Sequence, residues 1–173
     1  ANQDLAGALV ELVELDEREF YLRKFINRLR HEYDYIFIDL PPSLNLLTLN
    51  GLVAADEVLI PIQCEYYSLE GLSQLLKTVE QVRQSLNTQL SIHGIVLTMF
   101  DSRNNLCSQV VDDVRAFMGT KVYETVIPRN VRVSEAPSYG KPVLLYDLKS
   151  TGAQAYLKLA SEVIQRERAL LAA

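Results

Sequence analysis

Four short clusters hold the residue types that could do chemistry. Asp39 follows the apolar run Tyr35-Ile36-Phe37-Ile38 and precedes Leu40-Pro41-Pro42. Gln63-Cys64-Glu65-Tyr66-Tyr67, Asp101-Ser102-Arg103-Asn104-Asn105 and Pro128-Arg129-Asn130 each follow another apolar run. An acid at the carboxyl end of a buried strand sits where open α/β sheets place ligands. A carboxylate there can hold magnesium, directly or through water, beside a phosphate. The plainer alternative is that Asp39 caps the next turn, and that the other clusters are ordinary loops.

These clusters need elements to carry them. Tyr35 to Ile38 is aromatic and β-branched, which predicts a strand buried on both faces, stopped by the two prolines. Val58 to Ile62, Leu90 to Met99 and Val122 to Ile127 predict further strands, and Pro61 places the first of these near an edge or a loop. Helices are expected between them. One is capped by Asp4 and carries Leu5, Ala8, Leu9 and Leu12. Another runs from Glu17 to Leu29 and buries Phe20, Phe25, Ile26 and Leu29. A third covers Leu46 to Ala55. A long one begins at Ser68 with Leu69, Leu72, Leu76, Val79, Val82 and Leu86 at helical spacing. The next carries Leu106, Val110, Val114 and Phe117. The last is capped by Ser150 or Thr151, with Tyr156, Leu157, Ala160, Val163 and Ile164 inward. Alternating strands and helices predict a doubly wound, mostly parallel α/β sheet with helices on both faces. Parallel strands would bring the four clusters to one rim.

Composition narrows the function. The 173 residues suit one domain, and 49% hydrophobic with 23% charged residues is ordinary for a globular chain. A net charge of −5 argues against general nucleic-acid affinity but leaves room for a local basic patch. Cys64 and Cys107 form no disulfide framework, so a reducing cytoplasm is the expectation. His31 and His93 lie far apart and near no cysteine, which speaks against a zinc site. None of the seven glycines (Gly7, Gly51, Gly71, Gly94, Gly119, Gly140, Gly152) opens a phosphate cradle ending in Gly-Lys-Ser/Thr. Gly140-Lys141 runs into Pro142, and no Ser-His-Asp or Cys-His set can be placed.

Several segments together resemble the ParA/Soj chromosome-partitioning ATPases. Residues 33–43, Tyr-Asp-Tyr-Ile-Phe-Ile-Asp-Leu-Pro-Pro-Ser, are similar to that family's Walker B strand. Residues 61–72, 98–103 and 127–142 resemble further family segments in the same order, and residues 1–7 resemble the one before its mid-chain helices. The departure is at the start. The family begins with a deviant P-loop of the Lys-Gly-Gly-x-Gly-Lys-Thr type, on a strand and helix that this sequence does not contain. The resemblance therefore implies a single α/β domain over 1–173, incomplete at its amino terminus, with no catalytic residue of its own and no hydrolysis alone.

The resemblance also assigns roles. It implies binding of ATP or ADP with magnesium, and a nucleotide-dependent dimer. It implies non-specific DNA, a centromere-binding partner of the ParB type, a cytoplasmic, nucleoid-associated location and no membrane. Asp39 matches the Walker B acid that supports the magnesium shell, through water. Pro128 and Asn130 match positions at the adenine, and Asp101 sits where relatives such as the nitrogenase iron protein place an adenine-contacting asparagine. Arg103 and Arg132 match arginines implicated in DNA binding, and Lys141 would extend that patch. Glu65 receives no role. Two alternatives stay open: a MinD-like membrane-surface ATPase, and a non-enzymatic α/β binding module. The mixed charges of Gln165-Arg166-Glu167-Arg168 lack the basic amphipathic tail the first needs. Losing a central strand would also leave the Asp39 strand with an exposed edge, which self-association would cover.

Overall fold

The computed structural model describes residues 7, 11, 12, 14–41, 43 and 45–172. Of the expected first helix, Leu5, Ala8 and Leu9 lie outside these residues, while Leu12 is helical. The chain divides into two units, Ala1–Val58 with Leu75–Ser91, and Leu59–Gln74 with Ile92–Ala173.

In the first unit a 3-10 turn, Arg18–Phe20, leads into helix α1, Tyr21–Leu29, followed later by α2, Leu46–Ala54. Asn45 caps α2: its side-chain oxygen accepts from the backbone N–H groups of Leu47 and Thr48 at 3.0 and 3.1 Å. Ile26 is buried on α1, but Phe25, expected inward, is 56% exposed. Buried Asn50 ties the turn to both helices. Its amide donates to the carbonyls of Arg18 and Leu46, and its oxygen accepts from the Leu22 N–H. Leu40 lies so close to Gly51 that a Cβ there would meet Leu40 Cδ2 at 2.3 Å. Glycine is what admits that approach.

Buried Asn87 closes the far end of α2. Its amide donates to the carbonyls of Leu52, Val53 and Ala55 at 3.1, 3.2 and 2.7 Å, groups a helix end leaves without intrahelical partners. Asn87→Ala strands those acceptors in the interior. We expect it to lower stability by about 1–3 kcal/mol in urea unfolding, and an unchanged midpoint would contradict the role.

The run expected to form the first strand does not. Residues 35–40 form no regular element and join no sheet among the described residues. Tyr33, Tyr35 and Phe37 are 59, 49 and 85% exposed, while Ile36 and Ile38 are half-buried. The rings of Tyr35 and Phe37 stack with centroids 6.3 Å apart. The expectation of a doubly buried strand fails because a ladder needs a neighbour as well as a β-prone sequence.

Strand β1, Glu57–Gln63, leads to helix α3, Ser68–Ser85, and strand β2, Ser91–Phe100; the boundary between the units falls within β1, within α3 and at the start of β2. Helix α4, Asn105–Met118, and strand β3, Val122–Pro128, follow. The sheet order is β1-β2-β3, and β2 pairs with β3 in parallel, with Ile95 opposite Val122, Leu97 opposite Val126 and Phe100 opposite Pro128. Ile95, Val96 and Leu97 are all 2% exposed or less, so β2 is covered on both faces as an inner α/β strand should be. On β1, buried Ile60 and Ile62 alternate with exposed Leu59 and Pro61, which sets the proline at the sheet's edge. On α4 the buried residues are Cys107, Val110, Val111 and Val114, whereas Phe117 is 72% exposed. Two short helices, α5, Val131–Glu135, and α6, Val143–Tyr146, precede α7, Thr151–Leu171.

Helix α7 packs on β3 through Leu159, Ala155 and Val163, around Val96, Tyr123 and Ile127. Tyr156, Leu157, Ala160 and Ile164, expected inward, are exposed. The inward stripe also carries Glu162 and Arg166. The Glu162 carboxylate accepts from the Glu124 and Thr125 N–H groups at 2.8 and 3.0 Å, and the Arg166 guanidinium lies 4.0 Å from the centre of the Tyr123 ring. Burial pushes the Glu162 carboxyl up, but those two N–H donors and Arg166 outweigh it and hold it below its ordinary value. These two charges sit on the packing face because each has a partner there, which a hydrophobic pattern cannot register.

Candidate functional site

The second unit gathers most of the expected site at the carboxyl ends of β2 and β3. The register sets Phe100 beside Pro128, and the Arg129 N–H donates to the Phe100 carbonyl at 2.9 Å. Asp101 therefore lies one residue, and Asn130 two residues, beyond a paired position on adjoining strand ends. Just before Asp101 the β2–β3 register slips, and Met99 takes a left-handed φ of 56°. A bulky residue rarely adopts that conformation, and such outliers re-aim the chain where strands meet functional loops.

Asp101 spends both oxygens on Arg103. Oδ1 accepts from the Arg103 N–H at 3.1 Å and from Nε at 2.9 Å, and Oδ2 accepts from Nη2 at 2.7 Å. The hydrogen bonds from Arg103, with the charge of Arg129 in support, pull the carboxyl down to about 2. The Arg103 side chain stays 88% exposed while thus engaged. Arg129 was not singled out from the sequence; the signal available was its place inside Pro-Arg-Asn, at a strand end.

Asn130 caps α5. Its oxygen accepts from the Arg132 and Val133 N–H groups at 2.9 and 3.3 Å, and its amide donates to Thr151 Oγ1 at 2.9 Å. The start of α7 approaches so closely that a Cβ on Gly152 would meet Asn130 Cγ at 3.0 Å. Arg132 lies between two acids, with Nη1 2.9 Å from Glu135 Oε2 and Nε 3.5 Å from Asp147 Oδ2. The Tyr146 hydroxyl donates to the same Glu135 oxygen, and the Tyr146 ring stacks on Tyr139 at 5.0 Å. Pairing with Glu135 holds the Arg132 guanidinium even more firmly protonated than usual. Lys141 is exposed.

Asp39 belongs to the first unit, exposed on the irregular segment that leads to Pro41. Among the described residues no group of three or more His, Cys, Asp and Glu side chains could hold a metal ion. Magnesium is often bound by only one or two carboxylates together with substrate phosphates, so a lone Asp39 fits a supporting place in such a shell. The phosphates themselves find no cradle: the two glycines with positive φ, Gly119 and Gly140, sit at helix ends and not in a Gly-Lys-Ser/Thr loop. Among the described residues no helix is long and apolar enough to cross a membrane.

Comparison with known proteins puts this arrangement in context. The family model described as AAA domain (AAA_31) matches residues 1–92. The chromosome partitioning protein ParA of Caulobacter vibrioides NA1000 is 59% identical over 170 residues, 97% of this chain and 64% of that protein. The sporulation initiation inhibitor protein Soj of Bacillus subtilis is 58% identical over 163 residues, 94% of this chain and 64% of that protein. The chain thus spans a little under two thirds of the length of these relatives. Among solved structures, the cobyrinic acid a,c-diamide synthase of Mycobacterium smegmatis with bound ATP analog and magnesium is 35% identical, with a TM-score of 0.80 over 97% of this chain and 62% of that one. The cell division ATPase MinD of Pyrococcus furiosus is 25% identical, with a TM-score of 0.69 over 85% of this chain and 58% of that one.

Proposed function

The chain belongs to the family of the ParA/Soj chromosome-partitioning proteins, and from that premise we propose that it is the larger part of a DNA-segregation ATPase. In this reading the whole protein binds ATP or ADP with magnesium, dimerises with nucleotide, and holds DNA without regard to sequence. A centromere-binding protein of the ParB type is its partner, and it works in the cytoplasm on the nucleoid. The observation that carries the reading is the pair of adjoining strand ends. They set a carboxylate, a proline and an asparagine (Asp101, Pro128, Asn130) beside exposed arginines.

The division of labour follows from side-chain chemistry. Pro128 offers an apolar surface and Asp101 acceptor oxygens to a base. Asn130 acts chiefly through α5, which its cap holds in place. Asp39 supports the magnesium shell, and ATP with magnesium supplies the phosphoryl chemistry when bound. Arg103 and Arg132 offer guanidinium edges to backbone phosphates, with Lys141 beyond them.

Phosphate release is the test. The full-length protein hydrolyses ATP, and Asp39→Asn lowers the rate by about 10–100-fold, as loss of a metal-supporting carboxylate should. The present stretch alone releases no phosphate above background. Hydrolysis by this stretch that Asp39→Asn abolishes would overturn the assignment of the phosphate grip to an element outside it.

A further inference from the structure

Both arginines proposed to meet DNA are already held by carboxylates of their own chain, but in different ways. Arg132 stands between Glu135 and Asp147, and Glu135 also takes the Tyr146 hydroxyl, so those acids help to build the segment around it. Asp101 touches Arg103 and is not needed to hold distant elements together. It occupies the Nε and Nη2 edge of the guanidinium, the edge that a phosphate would grip with two parallel hydrogen bonds.

We propose that Asp101 is a built-in competitor for DNA: a backbone phosphate must displace it from Arg103, so this carboxylate sets the strength of DNA binding. The inference rests on the DNA-binding reading of Arg103 given above. Its physical basis is charge and geometry. A carboxylate and a phosphate cannot share one guanidinium edge, and two anions at that distance repel. An exposed ion pair is worth little, so a phosphate can win the exchange. Arg129 stands near enough to help hold Asp101 ionised. With the carboxyl held at about 2, mild acidification leaves the competitor charged. Only a stronger anion relieves it.

Asp101→Asn separates charge from shape. The amide oxygen still accepts from the Arg103 N–H and keeps the turn, while the negative charge and the bidentate grip are lost. The measurement is binding of a duplex DNA of unrelated sequence to full-length protein at ATP and magnesium concentrations that saturate each variant, with equal nucleotide occupancy verified by filter binding, titrated from 50 to 200 mM salt. Melting curves confirm that each variant is folded. Asp101→Asn should tighten binding about three- to tenfold, and the tightening should vanish in the Arg103→Ala background, as a coupled pair requires. If Arg103→Ala weakens binding but Asp101→Asn leaves it equal or weaker, the competitor is refuted while the DNA reading stands. If Arg103→Ala leaves binding unchanged, that reading fails and the competitor with it.

Discussion

Replacing Arg103 and Arg132 together with alanine should weaken binding of the full-length protein to non-specific DNA by about a hundredfold. That is the sum of two charged hydrogen bonds of about 1.5 kcal/mol each. The two arginines share no acid: Arg103 pairs with Asp101, and Arg132 with Glu135 and Asp147. Their effects should therefore nearly add. The better signature is the salt dependence. Each phosphate contact contributes about 0.9 to the slope of log affinity against log salt, so the double variant should lose nearly two per protomer. The loss should be uniform across DNA sequences, because phosphate contacts carry no base information. A double variant with an undiminished slope would remove both residues from the DNA surface.

The second large effect concerns the described chain by itself. Tyr33, Tyr35 and Phe37 present exposed aromatic rings on a segment that joins no sheet among the described residues. Exposed apolar surface of this kind favours association. Sedimentation velocity of this chain should show self-association at micromolar concentration. Phe37→Ser should shift the association midpoint at least about tenfold higher, since most of a phenylalanine's burial, roughly 1.5–3 kcal/mol, is lost. A chain that stays monomeric to about 100 µM would show that these rings drive no association. The full-length protein should be insensitive to Phe37→Ser in this assay if its additional segment covers the rings.

The contrast between legible and illegible parts follows from what a residue pattern encodes. The strands over Val58 to Ile62, Leu90 to Met99 and Val122 to Ile127 emerge almost at their expected bounds, because each has neighbours to receive its apolar residues. Helix α3 buries Leu72, Val79 and Val82 as its spacing requires. The Tyr35 to Ile38 run has the same composition as those strands and a different outcome, since pairing is a property of two segments. On α7 the pattern pointed to Tyr156 and Ile164, but the packing face is fixed by Leu159 together with Glu162 and Arg166. Polar residues that find partners inside look, in sequence, like solvent-facing ones.

The site shows the same division. That the clusters at Asp101 and at Pro128 to Asn130 share one rim is readable from parallel strands; that their strands adjoin is not. That Asp101 and Arg103 form one bidentate pair was not. In sequence the two suggest separate tasks, one toward a base and one toward DNA, and the pairing depends on the turn after Met99, whose left-handed backbone no composition announces. Asn130 likewise reads in sequence as a ligand, whereas its hydrogen bonds make it first a helix cap.

The bond from the Asn130 amide to Thr151 spans 21 positions of chain. It turns residues 131–150 into a stapled bracket, clipped shut where it leaves and rejoins the sheet layer. Closing a bracket of that length in advance removes entropy that a free loop would surrender only on meeting its target. A protease nick at exposed Lys141 would then leave both arms moored, and the arm bearing Arg132 would keep its footing.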